Sequence, residues 1–168
     1  MSTIDVTVDE LRAKAQQRVQ FNYYEDFELG QRLHHHWGRT LTESDAINFS
    51  TLTLNFNPLY FNEEYARSRG HAGLVANPML VLLTAIGLSV QDLSESGGAF
   101  LGIDNVVFHR PVLVGETIVA SSEVIDKRES KSRPHNGIVS WRTTIYSGGE
   151  AVVTAERTNL VSRRDVNA

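Results

Sequence analysis

Between Pro78 and Gln91 the chain carries no charged side chain, and only Thr84, Ser89 and Gln91 are polar. Asn77, just ahead, is a good helix N-cap because its side chain can accept a bond from a free N–H of the first turn. Pro78 suits the first helical position, where its missing N–H costs nothing. The pattern predicts a helix from Pro78 to about Leu93. A helix that is apolar all round has to be enclosed. About sixteen residues make a rod of about 24 Å, too short and too interrupted to span a bilayer. Gly87 lowers helix propensity by about 1 kcal/mol, so something is expected to pack closely on it. The rest of the chain has to build a shell around this rod.

The shell can be read downstream. Residues 99–108, 116–127, 136–147 and 150–161 are β-rich runs, and Ser147-Gly148-Gly149-Glu150 is a two-residue hairpin signal. In the third run Val139, Trp141, Thr143 and Ile145 alternate with polar neighbours, so one face turns inward. Upstream, residues 32–40 read as a strand after the turn at Gly30. Its His34, His35 and His36 alternate between faces and cannot easily share one metal, which predicts a surface strand. Thr42-Glu43-Ser44-Asp45 opens a helix that stops before Pro58. Residues 62–69 form a short helix capped by Asn62 and closed by Gly70. Helices first and antiparallel strands afterwards give an α+β domain; a curled antiparallel sheet around a long central helix is the hot-dog fold. The expected organisation is a polar helical arm over 1–20 (its helix at 8–17), one domain over 21–163 with Phe21, Tyr23, Tyr24 and Phe27 in its packing, and a tail over 164–168.

Composition closes off several functions. A chain of 168 residues suits one domain with a sizeable core. The net charge of -4 gives no case for nucleic acid. The absence of cysteine excludes disulfides, thiolate catalysis and cysteine metal sites. Residues 1–18 are polar and charged, without the apolar core of a signal peptide. A cytoplasmic protein, with no membrane partner, is expected.

Three stretches carry a resemblance. Asn55-Phe56-Asn57-Pro58-Leu59-Tyr60, then Tyr65-Ala66, then Gly73-Leu74-Val75-Ala76-Asn77-Pro78-Met79-Leu80 resemble the MaoC-type enoyl-CoA hydratases. Phe108-His109-Arg110-Pro111-Val112 with Gly115-Glu116-Thr117 is similar to that family's Phe-x-x-Pro-Val-x-x-Gly-Asp strand. Arg128 to Pro134 ahead of Gly137-Ile138-Val139 is similar to the mesaconyl-type subgroup. The likeness runs over 24–161 and implies a hot-dog domain that meets an acyl-CoA thioester, with coenzyme A as part of the substrate and no other cofactor or metal. It also implies a homodimer or a dimer of dimers, since hot-dog sheets leave edges that pairing covers.

At the catalytic positions the resemblance breaks. The family's Asp and His, which position and deprotonate water, fall on Asn55 and Tyr60. An amide is no base, and a phenol that ordinarily titrates near 10 is a poor one. The family's oxyanion donor, a glycine N–H at the helix start, falls on Pro78, which has none. Three readings stand. An altered site performs hydratase or dehydratase chemistry, with Asn55 orienting, Tyr60 handling protons, and Asn77 or the N–H of Met79 meeting the carbonyl. Or the domain binds an acyl thioester without turnover, or is the subunit of a hetero-oligomeric hydratase. Or it is a thioesterase, against which the central helix carries no carboxylate between Asn77 and Gln91.

Asn57, Pro58, Pro78, Met79 and His71 are the expected substrate-binding neighbours, His71 being a replacement base or a plain loop histidine. His109 reads as structural, and Glu63 and Glu64 as first-turn acids that favour the helix dipole. Lys127, Arg128, Lys131 and Arg133 form a basic loop that either holds coenzyme A phosphates or is merely solvated.

Overall fold

The computed structural model describes residues 21–164; the arm over 1–20 and residues 165–168 lie outside them. Six strands form one antiparallel sheet: β1 (Arg32–His34), β2 (Arg39–Thr40), β3 (Phe100–Phe108), β4 (Thr117–Glu129), β5 (Asn136–Ser147) and β6 (Glu150–Ser162). Their order is β1-β4-β5-β6-β3, with β2 also paired to β4. The helices are α1 (Glu43–Leu52), α2 (Glu63–Ser68) and the central α3 (Pro78–Leu93). Hydrogen bonding explains the ends. Asn77 Oδ1 accepts the Met79 N–H at 2.9 Å, and Thr42 and Asp45 cap α1 reciprocally. Gly148 (φ 59) and Gly149 (φ 85) make the β5–β6 turn in the left-handed conformation that a tight hairpin demands.

The core divides along α3. Around its N-terminal half, Val81, Leu82 and Ala85 pack with Val112, Ile118, Ile145 and Val153. Around its C-terminal end, Leu93 packs with Phe27, Val124, Val139, Trp141 and Val161. Trp141 is fully buried and meets Phe27 edge-on at 5.2 Å. Full burial of one such side chain contributes about 1.5–3 kcal/mol, so both halves are well anchored.

Four expectations need correction. The sheet encloses α3 on one side only: Met79, Leu83 and Val90 are 44%, 50% and 39% exposed. A side chain at Gly87, on that open stripe, would meet nothing within 4 Å, so within the chain nothing packs on it. The strand expected over 32–40 is interrupted between β1 and β2. There His35 N–H still reaches Ala120 O at 3.1 Å, and the side chain of His35 turns fully inward. It is no surface residue: Nδ1 lies 2.6 Å from Asp92 Oδ2 and Nε2 2.9 Å from Ser122 Oγ.

Candidate active site

A cavity of about 330 Å³ opens at the N-terminal end of α3. Local sequence builds each wall. Asn57 Oδ1 accepts the Leu59 N–H at 3.1 Å and so starts the 3₁₀ turn Pro58–Tyr60, which carries Tyr60 to the rim. Val75 N–H donates to Leu59 O at 3.2 Å, tying that turn to the segment ahead of α3. The same segment is stitched across the cavity floor by Ala76 N–H to Val112 O (2.8 Å) and Val114 N–H to Leu74 O (2.9 Å). Val81 and Val153 close the bottom, and Phe108, His109 and Arg110 form the facing wall.

Of the expected residues the fold brings Tyr60, His71 and Pro78 together around this space. The others stand differently. Asn55 is exposed, does not line the cavity, and follows Leu54, whose φ of 55 is a strained left-handed value for a leucine. Asn57 and Pro58 shape the turn that carries Tyr60. Asn77 is buried and caps α3. Its Oδ1 occupies the Met79 N–H, so that group is not free to meet a carbonyl, whereas Asn77 Nδ2 is buried with no partner among the described residues. The positive end of the α3 dipole remains at the cavity.

The facing wall was undervalued by sequence reasoning. His109 lines the cavity, with Nε2 3.1 Å from Thr154 Oγ1. Arg110 is fully committed: it meets Glu116 through two nitrogens at 3.2 and 3.0 Å, Glu150 at 3.2 Å, and the carbonyls of Pro111 and Ser147. Burial alone would raise the Glu116 carboxyl. The Arg110 guanidinium, the Ser147 hydroxyl and the Leu113 N–H override it and hold the group below the usual carboxylate range. The facing phenylalanine-to-valine strand end is thus fixed by an ion-pair knot, and among the described residues no carboxylate lines the cavity itself.

The basic loop lies elsewhere. The β4–β5 turn that carries Lys131 and Arg133 sits by the C-terminal half of the core, where Asn136 pairs with Ser162. The cavity sits near Val153, nine residues back along β6, or about 30 Å at about 3.3 Å per residue. Lys131 and Arg133 therefore do not line the cavity. Lys127 is internal to the fold, donating to Phe27 O at 2.5 Å and lying 4.4 Å over the Tyr24 ring.

The profile of the mesaconyl-CoA hydratase family matches residues 3–168. The chain is 38% identical over 161 residues to mesaconyl-CoA hydratase of Haloarcula marismortui, covering 95% of this chain and 45% of that protein. A MaoC domain protein dehydratase from Chloroflexus aurantiacus superposes with a TM-score of 0.83 at 30% identity, over 92% of this chain and 44% of that one. A Mycobacterium tuberculosis protein described as having a double hot-dog fold superposes with a TM-score of 0.80 at 25% identity, over 90% and 48%. The chain thus spans about half the length of the curated mesaconyl-CoA hydratases that it matches. Sheet order, central helix and these matches agree: the chain has a hot-dog fold and belongs to the MaoC-like mesaconyl-CoA hydratase family.

Proposed function

We propose that this chain is a hydratase/dehydratase unit for an enoyl-CoA or 3-hydroxyacyl-CoA thioester, of short branched or dicarboxylic type, and that it works as a homodimer or a dimer of dimers. The observation that carries the reading is the apolar cavity at the positive end of α3 with Tyr60 and His71 beside it. An enoyl chain fits an apolar space. Charge that develops on the thioester oxygen during water addition is favoured by the positive helix N-terminus, and stabilisation of such charge is usually the largest single contribution to catalysis. Tyr60 can hold a water by donating and accepting. No carboxylate among the described residues lines the cavity, which argues against thioester hydrolysis with a carboxylate as general base.

Pairing follows from two exposed surfaces. Strand β3 is an edge bonded only to β6 among the described strands, and Phe100, Leu101, Val107 and Phe108 stand exposed along it. The open stripe of α3 adds Met79, Leu83 and Val90 around the bare Gly87. Edges and apolar stripes of this kind are normally covered. Relatives of twice the length carry a second half, and a second copy of this chain supplies its equivalent. The reaction takes no metal and no cofactor beyond the coenzyme A of the substrate. No described helix is long and apolar enough to cross a membrane, and we place the protein in the cytoplasm.

Asn55, Tyr60 and Pro78 favour a second reading, in which the chain binds a thioester but leaves turnover to a partner subunit. Loss of enoyl-thioester absorbance, followed across short-chain and dicarboxylic enoyl-CoAs, separates the two. Turnover by the pure chain supports the hydratase, and ligand binding without turnover supports the second reading.

A further inference from the structure

We infer that His71 is the catalytic acid–base of this cavity, in place of the Asp/His pair that the sequence lacks; the inference rests on the hydratase reading above. Four titratable side chains line the space: Tyr60, His71, His109 and Arg110. Arg110 is locked by Glu116 and Glu150, with its proton held all the more firmly for the Glu116 bond. His109 is exposed and engaged with Thr154. Tyr60 is a phenol, which ordinarily titrates near 10. An imidazole is the side chain that both takes and gives a proton near neutral pH.

The fold aims His71 deliberately. Helix α2 ends with Gly70 in the left-handed conformation (φ 88). Gly70 N–H donates to Arg67 O at 3.0 Å and His71 N–H to Ala66 O at 3.1 Å. That is the paired bonding of a Schellman motif, with His71 in its last position. The backbone of His71 is therefore fixed, and its half-buried ring faces the cavity. The ring makes no hydrogen bond or ion pair with any described residue, unlike His35 and His109. A fixed backbone with an uncommitted imidazole is what a proton-transfer group needs before substrate arrives.

The step balances with no further reactant. Water adds its oxygen to the β-carbon while one water proton passes to the His71 ring. The π electrons move onto the thioester oxygen at the end of α3. The imidazolium then returns that proton to the α-carbon as the enolate collapses, and His71 ends neutral. Tyr60 orients the water and neither gains nor loses a proton.

The test is the pH dependence of kcat on an enoyl-CoA for wild type, His71→Asn, His71→Ala and Tyr60→Phe. The wild type should lose rate in acid across the range in which imidazoles titrate, about pH 5–8. His71→Asn should lower kcat by about 10²- to 10⁴-fold with KM little changed, and the acid limb should vanish. Tyr60→Phe should slow the enzyme but keep the limb. Added imidazole should restore part of the activity of His71→Ala, which it could not do for a misfolded variant. A His71→Asn enzyme within threefold of wild type, or one that keeps the acid limb, overturns the assignment and leaves the hydratase reading intact. A wild type inert on every enoyl thioester overturns both.

Discussion

A buried guanidinium without a carboxylate is expensive, and Arg157 shows what offsets the expense. It is 2% exposed, and burial pushes its pKa down to about 10. Its nitrogens reach Ser89 Oγ at 3.1 Å and Ser94 Oγ at 3.2 Å, and the group lies 5.5 Å over the Trp141 ring. The cation thus sits where the last turn of α3 is negative. Nearby, burial holds His35 below the ordinary histidine value; Asp92 pulls the other way, while Arg157 and His34 reinforce the effect. The sign of the consequence is fixed. An unfolded His35 binds a proton first as pH falls, so stability is lost below about 6.5, by at most about 1.4 kcal/mol per pH unit. Denaturant unfolding at pH 7 and 5.5 should show that loss, and His35→Asn should flatten it; an equal slope in both proteins would contradict the burial argument. Alternation along the strand told that His34 and His36 share one face and His35 takes the other. It could not tell that Asp92, 57 residues away, waits on the inner face, because side-chain partners across a fold leave no local pattern. The same limit hid the site: Tyr60 and Pro78 were legible by spacing, whereas the displacement of Asn55 from the cavity depends on how the loop after α1 turns at Leu54.

Element ends were the most legible part of the chain, since caps are local chemistry: Asn77, Thr42, Asn62 and Gly70 each stand where their hydrogen bonds require. Enclosure was misjudged for an instructive reason. An apolar helix face reports that something covers it but does not say whether the cover lies in the same chain. The stripe Met79, Leu83 and Val90 is bare here, and bare Gly87 allows close approach by another molecule. Leu83→Lys should therefore weaken self-association by at least about tenfold, or about 1.4 kcal/mol, while monomer unfolding moves little, since the residue is half exposed. Sedimentation of wild type and variant at micromolar concentration checks this. A wild type that runs near 18.7 kDa would sink the pairing, as would a variant with unchanged association. At the basic turn, Arg128→Ala with Arg133→Ala should leave KM for an enoyl-CoA within about twofold if the turn takes no part in binding coenzyme A. A KM that rises steeply, and more so at low salt, would mean that the turn meets the coenzyme A phosphates.

At the scale of the molecule, a single apolar run dictated a shell, and alternation in the β-rich runs supplied it. The hot-dog arrangement could be read this way because each step was a periodicity, and periodicities survive without long-range information. Chemistry did not follow as easily, since the Asp, His and glycine that the resemblance implies fall on Asn55, Tyr60 and Pro78, and which side chains line the cavity depends on the assembled fold. The reaction proposed for this cavity adds water across an enoyl thioester and leaves the thioester bond whole. Incubating the pure protein with an enoyl-CoA in water enriched in oxygen-18, then weighing the products by mass spectrometry, tests that claim most directly. The predicted result is an intact CoA thioester heavier by one labelled water, with the label on the β-carbon. Label in a released carboxylic acid, or unchanged substrate from an enzyme shown to bind it, would contradict the account.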